Sequence, residues 1–212
     1  MADPAEVSSR RKTGADTEAR LVTVSTQLFT DLGFERVTTR MIAEACEITV
    51  PTIYLYFKDK RALYIRCCLD VFARNAERLH VVMNADTSAD QRVYGATHEL
   101  SRILLEDPHL GKLFQRELAD SDVEGLRILD RAAFQEPLAL MHRNIVEAIG
   151  REPPALTALS VFALSFGLLQ YRQVTDEVAK ALDVGEGSPS ERMARHVLRI
   201  VVPEIYRRLF GD

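Results

Sequence analysis

The sequence predicts an all-α fold of about nine helices, because apolar residues recur at alternating steps of three and four in almost every segment. The strict alternation that marks a half-buried strand is absent throughout. A third observation is the placement of the breakers: Gly33, Pro153-Pro154 and the stretch VGEGSPS after Asp183 all fall between periodic segments. With 212 residues and 47% hydrophobic side chains, the chain has material for one or two domains with a sizeable core.

Residues 1–16 are polar and charged, with Arg10, Arg11 and Lys12 as a short basic arm expected to be flexible, and this opening has no signal-peptide pattern. Leu21, Val24, Leu28, Phe29 and Leu32 then place a first helix over about 17–32, stopped by Gly33. Thr38 or Thr39 can cap a second, short helix whose apolar face is Ile42, Ala43 and Cys46, and small Ala43 admits a close neighbour. Ile48 reads as the buried anchor of a turn, Thr49 as the next N-cap and Pro51 as a first-turn proline. Ile53 and Phe57, four apart, face the second helix. Val50, Pro51, Thr52, Tyr54, Leu55 and Tyr56 are left on the outer surface of the third, where helix-turn-helix proteins reach base edges in the major groove.

From Lys60, the run Ala62, Ile65, Leu69, Phe72, Ala76 and Leu79 argues one long helix to about Val82. Further helices are expected at about 90–106, 108–119 and 122–149, the last kinked or split at Pro137, which removes a donor and crowds the carbonyl four residues back. Residues 155–171 are the most hydrophobic stretch. They fall short of a membrane span, are interrupted by Thr157, Ser160 and Ser165 and lack strongly basic flanks, so burial within protein and no membrane partner are expected. A last amphipathic helix over 190–210 carries Val197, Leu198, Val201, Ile205 and Leu209, with Pro203 as a possible kink.

The net charge is −4, which excludes a generally basic nucleic-acid binder, yet its distribution is uneven. Residues 1–66 carry 10 basic and 9 acidic groups, +1, and the remainder carries 17 and 22, −5. Three cysteines without ligand spacing suggest a reducing, cytoplasmic setting, with Cys46, Cys67 and Cys68 as buried structural residues rather than redox sensors. Catalysis has little support. His98-Glu99 starts like the zinc motif H-E-x-x-H, but Arg102 occupies the second ligand position, and Gly185 and Gly187 lack the Lys-Ser/Thr of a phosphate loop. No metal or cofactor is expected.

Residues 38–63 resemble the DNA-binding segment of the TetR family of bacterial transcriptional regulators, with Thr38, Thr39, Arg40, Ile42, Ala43, Ile48, Thr49, Thr52, Ile53, Tyr54, Tyr56, Phe57, Lys60 and Leu63 in the family's order and spacing. The pattern departs at Glu47, where the family usually has glycine, and at Val50-Pro51, where a polar residue and glycine are common. A side chain at position 47 is less comfortable in the left-handed backbone such a turn uses.

The resemblance implies a helix-turn-helix DNA-binding domain over 17–62 and a helical ligand-binding and dimerisation domain over 63–212. It implies that Thr39, Tyr54 and Lys60 hold phosphates, and that Arg40, Val50, Pro51, Thr52 and Tyr56 face bases or the groove floor of a double-stranded operator. It implies a homodimer through the helices at about 155–175 and 190–210, and a small, mostly apolar effector among the body helices. The aromatic and adjoining residues offered for that pocket are Phe72, Tyr94, His98, Phe114, Phe134, Met141, Phe162, Phe166 and Tyr171. The function expected is that of a regulator, a repressor released from a palindromic operator by its ligand. A cofactor-free helical enzyme and a ligand-independent architectural DNA binder are the alternatives.

Overall fold

The computed structural model describes residues 4–107, 109–113, 134–174, 180 and 186–211, with side chains described from Gly14 on and not at 171–174. Every regular element among the described residues is helical: α1 (Pro4–Leu32), α2 (Thr39–Ala45), α3 (Val50–Tyr56), α4 (Lys60–Met83), α5 (Ala89–Glu106), α6 (Gln135–Ile149), α7 (Thr157–Val174), α8 (Pro189–Val201) and α9 (Pro203–Phe210). The helical segment expected at 108–119 is described only at 109–113, and the first part of the one expected at 122–149 lies outside the described residues.

The chain divides into two compact units, Met1–Val71 and Phe72–Asp212. The division falls within α4, later than the boundary expected at 62/63, because Leu63, Tyr64, Cys67, Cys68 and Val71 are all buried in the first unit. There α1 begins at Pro4, so the expected arm is helical from that residue. Its buried face is Leu21, Val22, Ser25, Thr26, Phe29 and Thr30, while Leu32 is exposed. Thr26 can be buried because its hydroxyl donates to the Val22 carbonyl one turn back, at 2.8 Å. Phe29, Phe34 and Tyr64 form a ring cluster with centroids 5.0–6.0 Å apart.

In the second unit α5 packs against α6, α7, α8 and α9. Ser88 and Gln91 close a reciprocal capping box at its start, and Ser188 and Glu191 do the same for α8, at the end of the breaker stretch VGEGSPS. Gly95 of α5 lies so close to α4 that an added Cβ would sit 2.8 Å from the Val82 side chain. The end of α4 is held by Asn144 of α6, whose amide donates to the Met83 carbonyl at 3.1 Å and to Leu140 at 3.0 Å. Arg92 donates to the Asn144 side-chain oxygen at 2.6 Å and pairs with Glu147.

Pro137 lies in the first turn of α6, where its missing N–H costs nothing; the residues before Phe134, across which the expected kink or split would run, lie outside the described residues. Gly150 ends α6 in the left-handed conformation, φ 72°. Pro203 divides the expected final helix: Val202 leaves helical geometry at φ −136° and ψ 64°, and α9 restarts on the proline. The hydrophobic α7 is buried along Ala158, Val161, Phe162, Ser165, Phe166 and Leu169, but Leu159, Ser160 and Ala163 are exposed, so it is not enclosed on all sides. Among the described residues no helix is long and apolar enough to cross a membrane.

Candidate nucleic-acid interface

The turn between α2 and α3 is built by the backbone. Thr38 caps α2, its hydroxyl accepting from Met41 N at 3.2 Å. At the other end Ile48 N donates to the Ala43 carbonyl at 2.9 Å and Glu47 N to Glu44 at 3.0 Å, the paired bonds of a Schellman stop. Such a stop needs a left-handed residue, and Glu47 supplies it at φ 52° despite its side chain. The departure from glycine therefore leaves the turn intact. Ile48, expected to be buried, is half-buried, while Ile42, Ala43, Cys46, Ile53 and Phe57 are buried as the spacing requires. Thr49 occupies the N-cap of α3 but makes no side-chain cap bond; its hydroxyl pairs with that of Thr52 at 2.8 Å.

What this turn presents is α3's outer face. Tyr54 is 50% exposed and Leu55 82%, and Pro51 is exposed beside them. Val50, Thr52 and Tyr56 are half-buried, as is Thr39 on α2, and Arg40 is exposed on α2's first turn. Tyr56 leans toward α1: a Cβ built on Gly14 would lie 3.8 Å from its hydroxyl oxygen. Exposed Lys58 adds a cation that the sequence reading left out.

Lys60 is placed differently from the other seven candidates. Its ammonium donates to the carbonyls of Phe34 at 2.8 Å and Val37 at 3.0 Å and lies 4.1 Å from the centroid of the Phe34 ring. Two of its three hydrogens are thereby engaged. Asp59, also missed, caps α4 by accepting from Ala62 N at 2.7 Å; an acidic residue just ahead of an apolar-periodic run was the available signal. Phe34 had no such signal, since its role depends on a lysine 26 residues away.

The pocket candidates separate into groups. Phe72, Phe134, Phe162 and Phe166 share the wall of one cavity in the second unit with Asn75, Ala76, Leu79, Leu100, Ile103, Leu110 and Pro137, and the Phe72 and Phe134 rings are 5.3 Å apart. The cavity's volume is about 30 Å³, little more than a water requires, whereas small-molecule sites run to hundreds of cubic ångströms. Met141 is fully buried but does not line it. Tyr94 and His98 serve another contact: their rings stack 6.0 Å apart, His98 Nε2 meets Ser190 Oγ at 3.0 Å, and Tyr94 packs edge-on to Phe210. Phe114 and the Tyr171 side chain lie outside the described residues. Asn75, buried and donating to Asp107 at 3.2 Å, is the polar wall residue that the sequence reading missed.

Burial and ion pairing give two conspicuous groups structural roles. Burial pushes the Cys67 thiol up to about 12, and its sulfur contacts the Val22 carbonyl at 3.5 Å, a poor setting for a thiolate sensor. Burial alone would raise Glu99, but hydrogen bonds from Arg102 and Arg78, at 2.7–2.8 Å, prevail and hold it below the usual carboxylate range. The glutamate of the apparent zinc motif is thus an ion-pair anchor.

A family model described as "Bacterial regulatory proteins, tetR family" matches residues 21–67. The fold is similar to that of the fatty acid degradation regulator FadR from Bacillus halodurans, at a TM-score of 0.70 and 17% identity over 87% of this chain and 94% of that one. It is also similar to a transcriptional regulator of the TetR/AcrR family from Thermobifida fusca (TM-score 0.66, 20% identity, 87% and 98% covered). RolR, solved with resorcinol, gives a TM-score of 0.58 and 20% identity over 95% and 97%. No curated protein matches the sequence significantly. The family match thus covers residues 21–67, and beyond them the likeness to solved regulators is one of fold.

Proposed function

We propose that the chain is a dimeric transcriptional repressor that grips a palindromic operator through α2 and α3 and is released when a small, mostly apolar ligand enters the second unit. The observation that carries the DNA reading is the outer face of α3, where Tyr54 and the 82%-exposed Leu55 stand beyond the turn closed by the Glu47 and Ile48 amides. In this reading Arg40 and Thr52 read base edges, Val50, Pro51 and Tyr56 fill the groove floor, and Thr39 and Tyr54 hold phosphates. A bidentate arginine–guanine contact contributes about 1–3 kcal/mol of discrimination. Leu55 and Pro51 offer apolar contact, suited to a thymine methyl.

Dimerisation through α7 and the α8–α9 pair is supported by the apolar side chains they leave in solvent, Leu159 at 45% and Ile200 at 57% exposure. The ligand reading rests on the phenylalanine-walled cavity, whose small volume requires that a ligand select a more open state. Two solved neighbours carry a ligand: RolR was determined with resorcinol and the FadR of Bacillus subtilis with stearoyl-CoA. Phe72 and Asn75 of the wall belong to α4, which starts at Lys60 in the first unit, so the helix gives the ligand a covalent route to the DNA-binding domain.

Equilibrium binding to a selected operator tests the surface. Tyr54→Ala is expected to weaken binding to every sequence by about tenfold, whereas Arg40→Ala should relax preference at one or two base pairs. Unchanged affinity and preference in both variants would remove α2 and α3 from the interface.

A further inference from the structure

We propose that Lys60 is a positioning residue: it fixes the entry of α2, and so the placement of Thr39 and Arg40, instead of holding a phosphate itself. The proposal rests on the DNA-binding reading of α2 and α3.

A lysine at the first position of a helix puts positive charge at the positive end of the helix dipole, an unfavourable place unless something offsets it. Asp59 offsets part, since its carboxylate caps the same end. The ammonium does the rest by turning away from its own helix to the segment joining α1 and α2. Two carbonyls three residues apart, Phe34 and Val37, converge on it at 2.8 and 3.0 Å, and the Phe34 ring lies beneath it at 4.1 Å. Together they form a small cation site, and Lys60 fills it.

The second carbonyl gives this site its reach. Val37 is fully buried, and its carbonyl belongs to the peptide plane that joins it to Thr38. Fixing that plane sets the extended backbone of Thr38, φ −108° and ψ 154°, from which its hydroxyl caps Met41 N and starts α2. Thr39 and Arg40 are the first two residues of that helix. The chain of contacts therefore runs from Lys60 through a backbone plane to the side chains expected to touch DNA. With two hydrogens committed to carbonyls, the ammonium has only one left to offer a phosphate.

Lys60→Met keeps most of the stem and removes the charge. In the DNA-free protein, amide exchange at Val37 and Met41 is expected to accelerate by about tenfold in this variant, with the far-ultraviolet dichroism unchanged. Unchanged exchange overturns the clamp whatever the DNA result. On an operator, affinity should fall about tenfold at every salt concentration while the slope of log K against log salt stays that of the parent. A slope shallower by about 0.9 identifies a direct phosphate contact and overturns the proposal. A lower unfolding temperature with unaltered DNA affinity makes Lys60 a purely structural support and also overturns it. Phe34→Leu provides the second test, because it removes the ring face and leaves the charge. Weaker operator binding at constant slope supports positioning, and parental affinity contradicts it. If the parent chain itself binds no DNA, the functional reading fails, and the positioning role fails with it; the exchange experiment still decides whether the clamp exists.

Discussion

Glu47 sits at φ 52° in the stop that separates α2 from α3, in the one position of that motif where glycine is free of steric conflict. A residue with a Cβ costs roughly 1–2 kcal/mol in the left-handed region, part of which glycine would lose again through the entropy of its unfolded chain. Glu47→Gly is therefore expected to stabilise the first unit by about 0.5–1 kcal/mol, seen as a higher midpoint in chemical denaturation. A lower midpoint would mean that the glutamate makes a compensating contact. The strain could be anticipated at this residue because its neighbours match a pattern with glycine there. Lys60 is the opposite case: the side chain was legible as a cation in the right segment, but its partners are carbonyls brought close only by tertiary folding.

Helices were legible by period, their faces less so. α4 falls where steps of three and four put it and α1 ends there, though it starts earlier, at Pro4; beside expected Leu21, Phe29, Phe72 and Leu79, they also bury residues off the expected stripe, Val22, Ser25, Thr26 and Thr30 in α1 and Leu63, Tyr64, Cys67 and Cys68 in α4. Short hydroxyl side chains that bond to their own helix can be buried, as Thr26 does on Val22, so a count of apolar residues places the face wrongly. Pro203 was read more faithfully, since a proline acts on the backbone directly. The same scale carries an acid-sensitive contact between α4 and α5, where Arg78 and Arg102 hold Glu99. Its folded pKa lies below the unfolded one, so its contribution is present above the unfolded value, about 4.3, and is lost as pH falls through the folded value. Glu99→Gln should narrow its stability deficit against the parent as urea midpoints are taken from pH 7 down to pH 3. A deficit independent of pH would rule out the ion pair as its source.

The whole molecule joins two units of different legibility. The first was readable in the turn and in the packing of α2 against α3, because a short fold with a fixed turn constrains its sequence tightly. The cavity of the second was readable only as a pool of aromatic residues, of which Phe72, Phe134, Phe162 and Phe166 converge while Tyr94 and His98 bind the C-terminal helices instead. Sequence spacing cannot say which side of α5 meets which neighbour. The exposed apolar residues of α7 and α8 make assembly testable at this scale: Leu159→Glu should turn a dimer into a monomer by sedimentation velocity and reduce operator affinity by about a hundredfold, through loss of one of two linked contacts. A variant that stays dimeric would put the interface elsewhere.

The account's central claim is that paired copies of the α2–α3 surface read DNA. Selection of bound fragments from random duplex DNA by the full-length protein tests it most directly. The prediction is enrichment of an inverted repeat with half-site centres about 34–36 Å apart, or a multiple of that distance, lost in the Arg40→Ala and Tyr54→Ala double variant. Recovery of no enriched sequence, or of the same repeat by the double variant, would contradict it.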